Sequence, residues 1–282
     1  MTEAKKYMNE PITISHSAKI SDVLRKLLDS KKSRLLITDD KGITSIVSEK
    51  DVGMFLFNDK TERKLGEIPL SEISKKIISI KNSTSLEECA KTILENNIGS
   101  LALTSSGNVV GIITKTDLVK YFVDEHKGKK TVGEYMTPYY AWGYSDSPIS
   151  KIVSKMIKEK ISRVILRNEN ELPEGIITFR DLFYTSLNLG QQEDVLDNSD
   201  SLISVIFPRK GFISESGFGG SVRASEIMTK KILSVNYDDD LGRVGELLLE
   251  NKINGAGVLS RNGNLIGIIS KTDIVKALAF VA

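Results

Sequence analysis

GNVVGIITKTDLVKYF, Gly107 to Phe122, returns as GNLIGIISKTDIVKAL, Gly263 to Leu278, with ten of sixteen positions identical and no gap. A chain that repeats itself at this length folds as repeated units, so the pair constrains how every other segment is read. Two shorter copies, Asp39 to Met54 (DDKGITSIVSEKDVGM) and Pro173 to Phe183 (PEGIITFRDLF), end alike: two apolar residues, Ser or Thr, two variable residues and Asp. The four aspartates, Asp51, Asp117, Asp181 and Asp273, are separated by 66, 64 and 92 residues, which places an insertion in the last interval.

An amphipathic helix is expected before each copy. It is clearest at Ile149, Ile152, Val153, Met156, Ile157 and Ile161, which keep i, i+3, i+4 spacing. Ile20, Val23, Leu24, Leu27 and Leu28 supply the same stripe in repeat 1, Leu86, Cys89, Ala90, Ile93 and Leu94 in repeat 2, and Leu241, Val244, Leu247 and Leu248 in repeat 4. A strand, a turn and a second strand follow, and the closing Ser or Thr opens another helix. The expected fold class is α/β (α+β), as four β-α-β-β-α repeats. One such unit is too small to bury its own apolar faces, so repeats should pair. Pairing in sequence order gives one module over 1–126, with repeats near 8–58 and 71–126. The second spans 131–282, with repeats near 131–184 and 223–282. HKGKK, His126 to Lys130, is the expected linker and 185–222 an insertion with one strand-like piece, LISVIF.

Composition excludes several classes. With 39 basic and 37 acidic residues, nothing global draws the chain to nucleic acid or an anionic membrane. One cysteine and two histidines exclude an internal disulfide and argue against a zinc site. No apolar run approaches a membrane span, and the N-terminus lacks a signal-peptide core, so a cytoplasmic protein is expected. No nucleophile–base pair or paired acids at working spacing argue for an enzyme.

The tetrads Ser48–Asp51, Thr114–Asp117, Thr178–Asp181 and Ser270–Asp273 sit where a strand becomes a helix. Two readings stand. Ser or Thr with an acid three residues on is a capping box, stabilising a helix start by roughly 1 kcal/mol. Yet the short Asp recurs four times where Glu and Gln are usual, and a rigid carboxylate at a cleft edge can accept both hydroxyls of a vicinal diol, beside a helix N-terminus that favours phosphate.

These units, closing on Gly (Ser45 in repeat 1), two apolar residues, Thr or Ser, two variable residues and Asp, resemble cystathionine-beta-synthase (CBS) domains, whose tandem pairs are called Bateman modules. The resemblance covers nearly all of the chain outside the insertion and linkers. It implies a regulatory protein binding adenosine-containing ligands (AMP, ADP, ATP, S-adenosylmethionine or a dinucleotide) between paired repeats, with no catalytic cofactor or metal. Carried over by position, it makes the four aspartates ribose acceptors, with Ser48, Thr114, Thr178 and Ser270 beside ribose or phosphate. Adenine would lie between Ile78, Ile80 and Ile98, Gly99, Ser100 in repeat 2, and between Leu233, Val235 and Asn254, Gly255, Ala256 in repeat 4; the plain alternative is that these are core residues. Arg34, Arg163, Lys115 and Lys271 are the implied phosphate contacts, against the alternative of ordinary surface charges.

Repeats 2 and 4 carry the fuller pattern. Repeat 1 has Ser45 where the others have Gly111, Gly175 and Gly267, and repeat 3 has an aromatic run, Tyr139, Tyr140, Trp142 and Tyr144, expected to fill a core or interface sooner than stack on a base. The glycine cluster in Pro208 to Arg223 matches neither phosphate-loop nor dinucleotide fingerprints and is expected to be a linker. Output would pass through an effector protein or self-association, a homodimer for instance; the competing reading is a ligand-independent scaffold, and a nucleic-acid role stands behind both.

Overall fold

The computed structural model describes residues 2–59, 61, 63–181, 213–214, 217–218 and 222–280. Repeat 1 comprises β1 (Thr13–Ser15), α1 (Ile20–Ser30), β2 (Arg34–Asp39), β3 (Gly42–Ser48) and α2 (Glu49–Asn58), and β4 (Lys75–Lys76) follows it. Repeat 2 has β5 (Ser79–Lys81), α3 (Leu86–Glu95), β6 (Ser100–Ser105), β7 (Asn108–Thr114) and α4 (Lys115–His126). After α5 (Val132–Tyr135) comes repeat 3, with β8 (Trp142–Tyr144), α6 (Ile149–Lys158), β9 (Arg163–Arg167) and β10 (Pro173–Thr178), and a helix opening at Phe179. A two-stranded hairpin, β11 (Ile213–Ser214) with β12 (Gly217–Phe218), is what the structure describes of the insertion up to Val222; LISVIF lies outside the described residues. α7 (Ala224–Ile227) and β13 (Thr229–Lys230) precede repeat 4, which has β14 (Ser234–Asn236), α8 (Leu241–Glu250), β15 (Gly255–Leu259), β16 (Leu265–Ser270) and α9 (Lys271–Ala279). The expected order is therefore present.

In each repeat the first strand lies parallel to the hairpin's first strand, and the hairpin is antiparallel. The periodic residues of the four first helices face inward: Ile20, Val23, Leu24 and Leu27, Leu86, Cys89, Ala90 and Ile93, Ile149, Ile152, Val153 and Met156, and Leu241, Val244 and Leu248 are all buried. These helices share a stop. Lys31, Asn97, Lys160 and Lys252 follow them in the left-handed region, at φ of 52°, 50°, 55° and 54°, although none is glycine.

The residues ahead of each repeat do not join that repeat's own sheet. Asn9, ahead of repeat 1, bridges Ile112 of β7, and β4, ahead of repeat 2, pairs with β3 of repeat 1. Thr137, ahead of repeat 3, bridges Ile268 of β16, and β13, ahead of repeat 4, pairs with β10 of repeat 3. The helical turns upstream follow suit: Ala4 N–H donates to Thr84 O, Leu70 N–H to Ala18 O, Val132 N–H to Asp239 O and Ala224 N–H to Ser147 O. Each sequence-adjacent pair thus exchanges leaders reciprocally.

Helix packing groups the repeats differently. One compact unit contains Met1–Pro11, Ile77–Tyr140 and Ile232–Ala282, the other Ile12–Lys76 and Ala141–Lys231. The first holds repeats 2 and 4, whose α3, α4, α8 and α9 pack on one another around a single core running from Leu86 and Phe122 to Val244 and Leu278. The second holds repeats 1 and 3, whose described residues form a cluster around Leu24 and Val47 and another around Val153 and Leu166. The compact units divide the chain differently from the segments 1–126 and 131–282 expected from sequence order. HKGKK is docked as well: His126 is buried at the end of α4, Lys127 pairs with Glu246, and Gly128 N–H donates to Asp240.

Candidate functional site

All four tetrads are closed capping boxes. The backbone N–H and hydroxyl of Thr114 both donate to Asp117 Oδ2, at 2.8 and 2.7 Å, and Ser270 does the same to Asp273 at 2.8 and 2.6 Å. Thr178 reaches Asp181 at 2.7 and 2.6 Å, and Ser48 reaches Asp51 at 2.9 and 2.5 Å. Capping therefore accounts for one carboxylate oxygen in every repeat. Asp suits this position because its short side chain brings Oδ2 back to both donors at once.

The second oxygen has its own repeated partner. Asn9 Nδ2 donates to Asp117 Oδ1 at 2.8 Å, Lys75 Nζ meets Asp51 Oδ1 at 2.5 Å, and Thr229 Oγ1 donates to Asp181 Oδ1 at 3.2 Å. These three residues occupy the same place in the exchanged leaders, as does Thr137 beside repeat 4. The sequence reading missed them. Their signal was present as Tyr7-Met8-Asn9, Ile73-Ser74-Lys75, Tyr135-Met136-Thr137 and Ile227-Met228-Thr229, but three residues carry no period, and they precede the repeat they resemble instead of sitting in the one they touch.

The leaders also explain the glycine of the motif. A Cβ on Gly111 would stand 2.7 Å from Met8 Sδ, on Gly175 2.6 Å from Met228 Sδ, and on Gly267 2.4 Å from the Thr137 carbonyl and 2.7 Å from Met136 Cε. In repeat 1 the departure Ser45 lies opposite a leader in which Ser74 replaces the methionine, so one small residue admits the other's side chain.

Across each hairpin, Arg34, Ser100, Arg163 and Gly255 pair with Ser48, Thr114, Thr178 and Ser270. This corrects the matching of Gly99-Ser100 to Gly255-Ala256 by one residue: the counterpart is Asn254-Gly255, and Ile253 is that of Ile98. Val235 and Ala256 are buried members of the shared core, and Ser100 is buried too, so the plain core reading holds for their side chains. Ile78, Ile80, Ile98 and Leu233 are half-buried against that core, and Asn254 is exposed. The carbonyls of Gly99 and Asn254 accept the N–H groups of Lys115 and Lys271.

The middle residues of the tetrads meet between paired repeats. In the first unit Lys115 Nζ donates to Thr272 Oγ1 at 3.0 Å and Lys271 Nζ to Thr116 Oγ1 at 3.1 Å, a two-fold-like exchange. In the second, the same positions hold Arg180 Nε at 3.6 Å from Glu49 Oε2, and Lys50 over the Phe179 ring at 5.6 Å. Burial raises the Glu49 pKa, opposed by Arg180 and Arg34.

The aromatic run does not fill a core. Tyr139 is 83% exposed, and Trp142 and Tyr144 are exposed rings 5.4 Å apart in an edge contact, with Arg167 over Trp142 at 4.7 Å and the Tyr144 hydroxyl donating to Glu171. β8 edges its sheet, and it carries Trp142 and Tyr144 where repeat 2 has Ser79 and Lys81 and repeat 4 has Ser234 and Asn236. Among the described residues no group of His, Cys, Asp or Glu is arranged to hold a metal, and no helix is long and apolar enough to cross a membrane.

The CBS domain family is matched over residues 4–56, 66–124, 132–188 and 224–280. Protein MJ1225 of Methanocaldococcus jannaschii is 23% identical over 95% of both chains, and its crystal structure superposes with a TM-score of 0.79 at 20% identity, covering 99% of this chain and 100% of that one. A conserved protein of Pyrococcus horikoshii superposes over 98% of this chain and 100% of its own, with a TM-score of 0.65 at 18% identity. The L-aspartate semialdehyde sulfurtransferase of M. jannaschii is 32% identical over 39% of this chain and 21% of its own length. With four matched repeats that span most of its length, and the tetrad at the entrance of a helix in each, the chain belongs to the CBS domain family.

Proposed function

We propose that the protein is a non-catalytic regulatory sensor for an adenosine-containing ligand, drawn from AMP, ADP, ATP, S-adenosylmethionine or a dinucleotide. The supporting observation is the geometry of the aspartates: capping consumes Oδ2, while Oδ1 of Asp51, Asp117 and Asp181 faces away from the cap, toward a residue of an exchanged leader. An oxygen so placed can accept a sugar hydroxyl without dismantling the helix start. Ile78, Ile80 and Ile98 with Gly99 and Ser100 would border the base in repeat 2, and Leu233 and Val235 with Asn254, Gly255 and Ala256 in repeat 4. Because Val235 and Ala256 turn their side chains into the core, their share would be backbone. Arg34, Arg163, Lys115 and Lys271 are the proposed phosphate contacts. The functional modules follow the leader exchange, 1–126 and 131–282, and the output goes to an effector protein or a second copy of the chain in the cytoplasm.

The complete capping boxes favour a second reading, a scaffold whose tetrads only hold helices. A thermal-shift panel of AMP, ADP, ATP, S-adenosylmethionine, NAD and cyclic dinucleotides separates the two, since a ligand at a hundredfold excess over Kd adds roughly 2.7 kcal/mol. Asp117→Ala and Asp273→Ala should abolish the shift while lowering stability by about 1 kcal/mol. No shift from any nucleotide supports the scaffold.

A further inference from the structure

Every covalent crossing between the two compact units lies beside a leader residue that grips the partner repeat's sheet. The crossings are Pro11–Ile12, Lys76–Ile77, Tyr140–Ala141 and Lys231–Ile232, and the leader residues are Asn9, Lys75, Thr137 and Thr229. Asn9, Lys75 and Thr229 also engage the second oxygen of the tetrad aspartate, at 2.8, 2.5 and 3.2 Å. The residue types differ, an amide, an ammonium and a hydroxyl, but each is a hydrogen-bond donor aimed at the same acceptor. A sugar hydroxyl is a donor of the same kind.

We infer that the leaders are internal latches, which hold the aspartate oxygen until a diol ligand displaces them, and that displacement loosens the stretch joining the two units. The inference rests on the adenosine reading above and names how that same site is regulated. The arrangement is economical in distance. Asn9 is held to β7 by a pair of backbone bonds, Asn9 N–H to Ile112 O at 2.9 Å and Ile112 N–H to Asn9 O at 3.0 Å, two residues before the crossing. The Asn9 side chain is exposed, while Met8 beside it lies over Gly111 and the Tyr7 hydroxyl donates to Asp124. Losing the Asp117 contact therefore weakens a short bridge at the edge of a sheet, where local opening requires little disruption. A ligand bound at repeat 2 in this way acts on the segment that leads into repeat 1, and one bound at repeat 3 acts through Thr229 on the segment that leads into repeat 4. The coupling is reciprocal: whatever holds a leader down weakens binding at the aspartate that it grips.

The test uses the full chain with AMP and adenosine as probes, measured by calorimetry and by amide exchange. Asn9→Ala removes the donor from an exposed position and should raise affinity for both probes about three- to tenfold, the scale of an ordinary hydrogen bond that no longer competes. Met8→Ala, which loosens the leader without touching the carboxylate, should raise it less. In the wild-type protein, adenosine should accelerate exchange of the Asn9 and Ile112 amides. Unchanged or weaker binding by Asn9→Ala, or slower exchange of those amides when adenosine is bound, overturns the latch and leaves the adenosine reading standing. Absence of binding by the wild type, Asn9→Ala and Met8→Ala alike overturns both.

Discussion

The two compact units are built from the same repeat and differ in the contacts that their tetrads make. Repeats 2 and 4 share one apolar core, to which Phe122, Leu118, Ile274 and Leu278 contribute from α4 and α9. Among the described residues, repeat 1 builds a cluster around Leu24 and Val47 and repeat 3 one around Val153 and Leu166. Where the first unit exchanges two lysine–threonine hydrogen bonds at its tetrads, the second uses an ion pair and a cation–π contact. The same local sequence pattern therefore specifies the repeat but not its partner; partner choice lies in the residues that the pattern leaves variable. A shared core also predicts shared unfolding, because truncating it removes contacts from both repeats at once.

Phe122→Ala tests this most severely. The ring is fully buried, and its loss should cost about 3–5 kcal/mol, with amides of repeats 2 and 4 losing exchange protection together. Leu24→Ala, equally buried, should cost about 2–5 kcal/mol and expose the amides of repeat 1. Independent responses of repeats 2 and 4 to Phe122→Ala would break the comparison.

The next effect concerns the glycine of the motif. Gly267→Ala places a Cβ 2.4 Å from the Thr137 carbonyl, a backbone atom that cannot rotate away, and should cost about 1–3 kcal/mol as the leader is pushed off β16. Ser45→Ala, at the same place in repeat 1, should stay within about 0.5 kcal/mol because Ser74 leaves the room that methionine takes elsewhere. Chemical denaturation of both variants reads the difference directly.

Much of this was legible in the sequence. The tetrads, the periodic stripes and the hairpins all lie within ten or so residues of one another, so local pattern and local structure coincide; Ile149, Ile152, Val153 and Met156 are buried as their spacing implies. The exchange of leaders was not legible, because Asn9 and Ile112 are brought together by chain reversal and three-residue segments have no period to detect. The placement of Gly255-Ala256 slipped by one because small residues offer no side chain to fix a register; Ala256 pairs with Ile269 and faces the core, and Gly255 is the residue opposite Ser270. The pairing of repeat 2 with repeat 4 depends on whole helix faces, which the sequence displays for all four repeats without saying which meet.

Acidification should act on the units in opposite directions. In the first, burial and then Lys129 lower the His126 pKa below 6.5, against the opposing charges of Glu87 and Glu125, and its Nε2 is buried without a hydrogen-bond partner. A histidine with a depressed folded pKa binds more protons when unfolded, so its stabilising share is whole above 6.5 and is lost as pH falls through that value toward the folded one. In the second unit burial raises the Glu49 pKa above 4.5, so the folded state holds the proton more tightly, and stability is gained as pH falls through the raised value. Melting curves between pH 7 and 4 should therefore flatten for the first unit in His126→Phe and lose their gain for the second in Glu49→Gln. A matching slope in wild type and both variants would show that neither group distinguishes the units.

The smallest effect is the most specific to the comparison. Arg180 is partly exposed and stands 3.6 Å from Glu49, a geometry that supplies about 0–1 kcal/mol. Were repeat 1 placed against repeat 4 in place of repeat 3, Lys50 would face Lys271 where it now faces Phe179; were repeat 3 placed against repeat 2, Arg180 would face Lys115. Charge thus opposes both wrong pairings while favouring the observed one only slightly, which is how specificity is obtained without much stability. Glu49→Arg should lower the melting temperature of the second unit by more than the pair's own strength, since it sets two cations against each other, and Arg180→Glu should do the same with two anions. The double reversal should recover most of the loss, whereas a double variant no more stable than either single one would mean that the cores alone choose the partners.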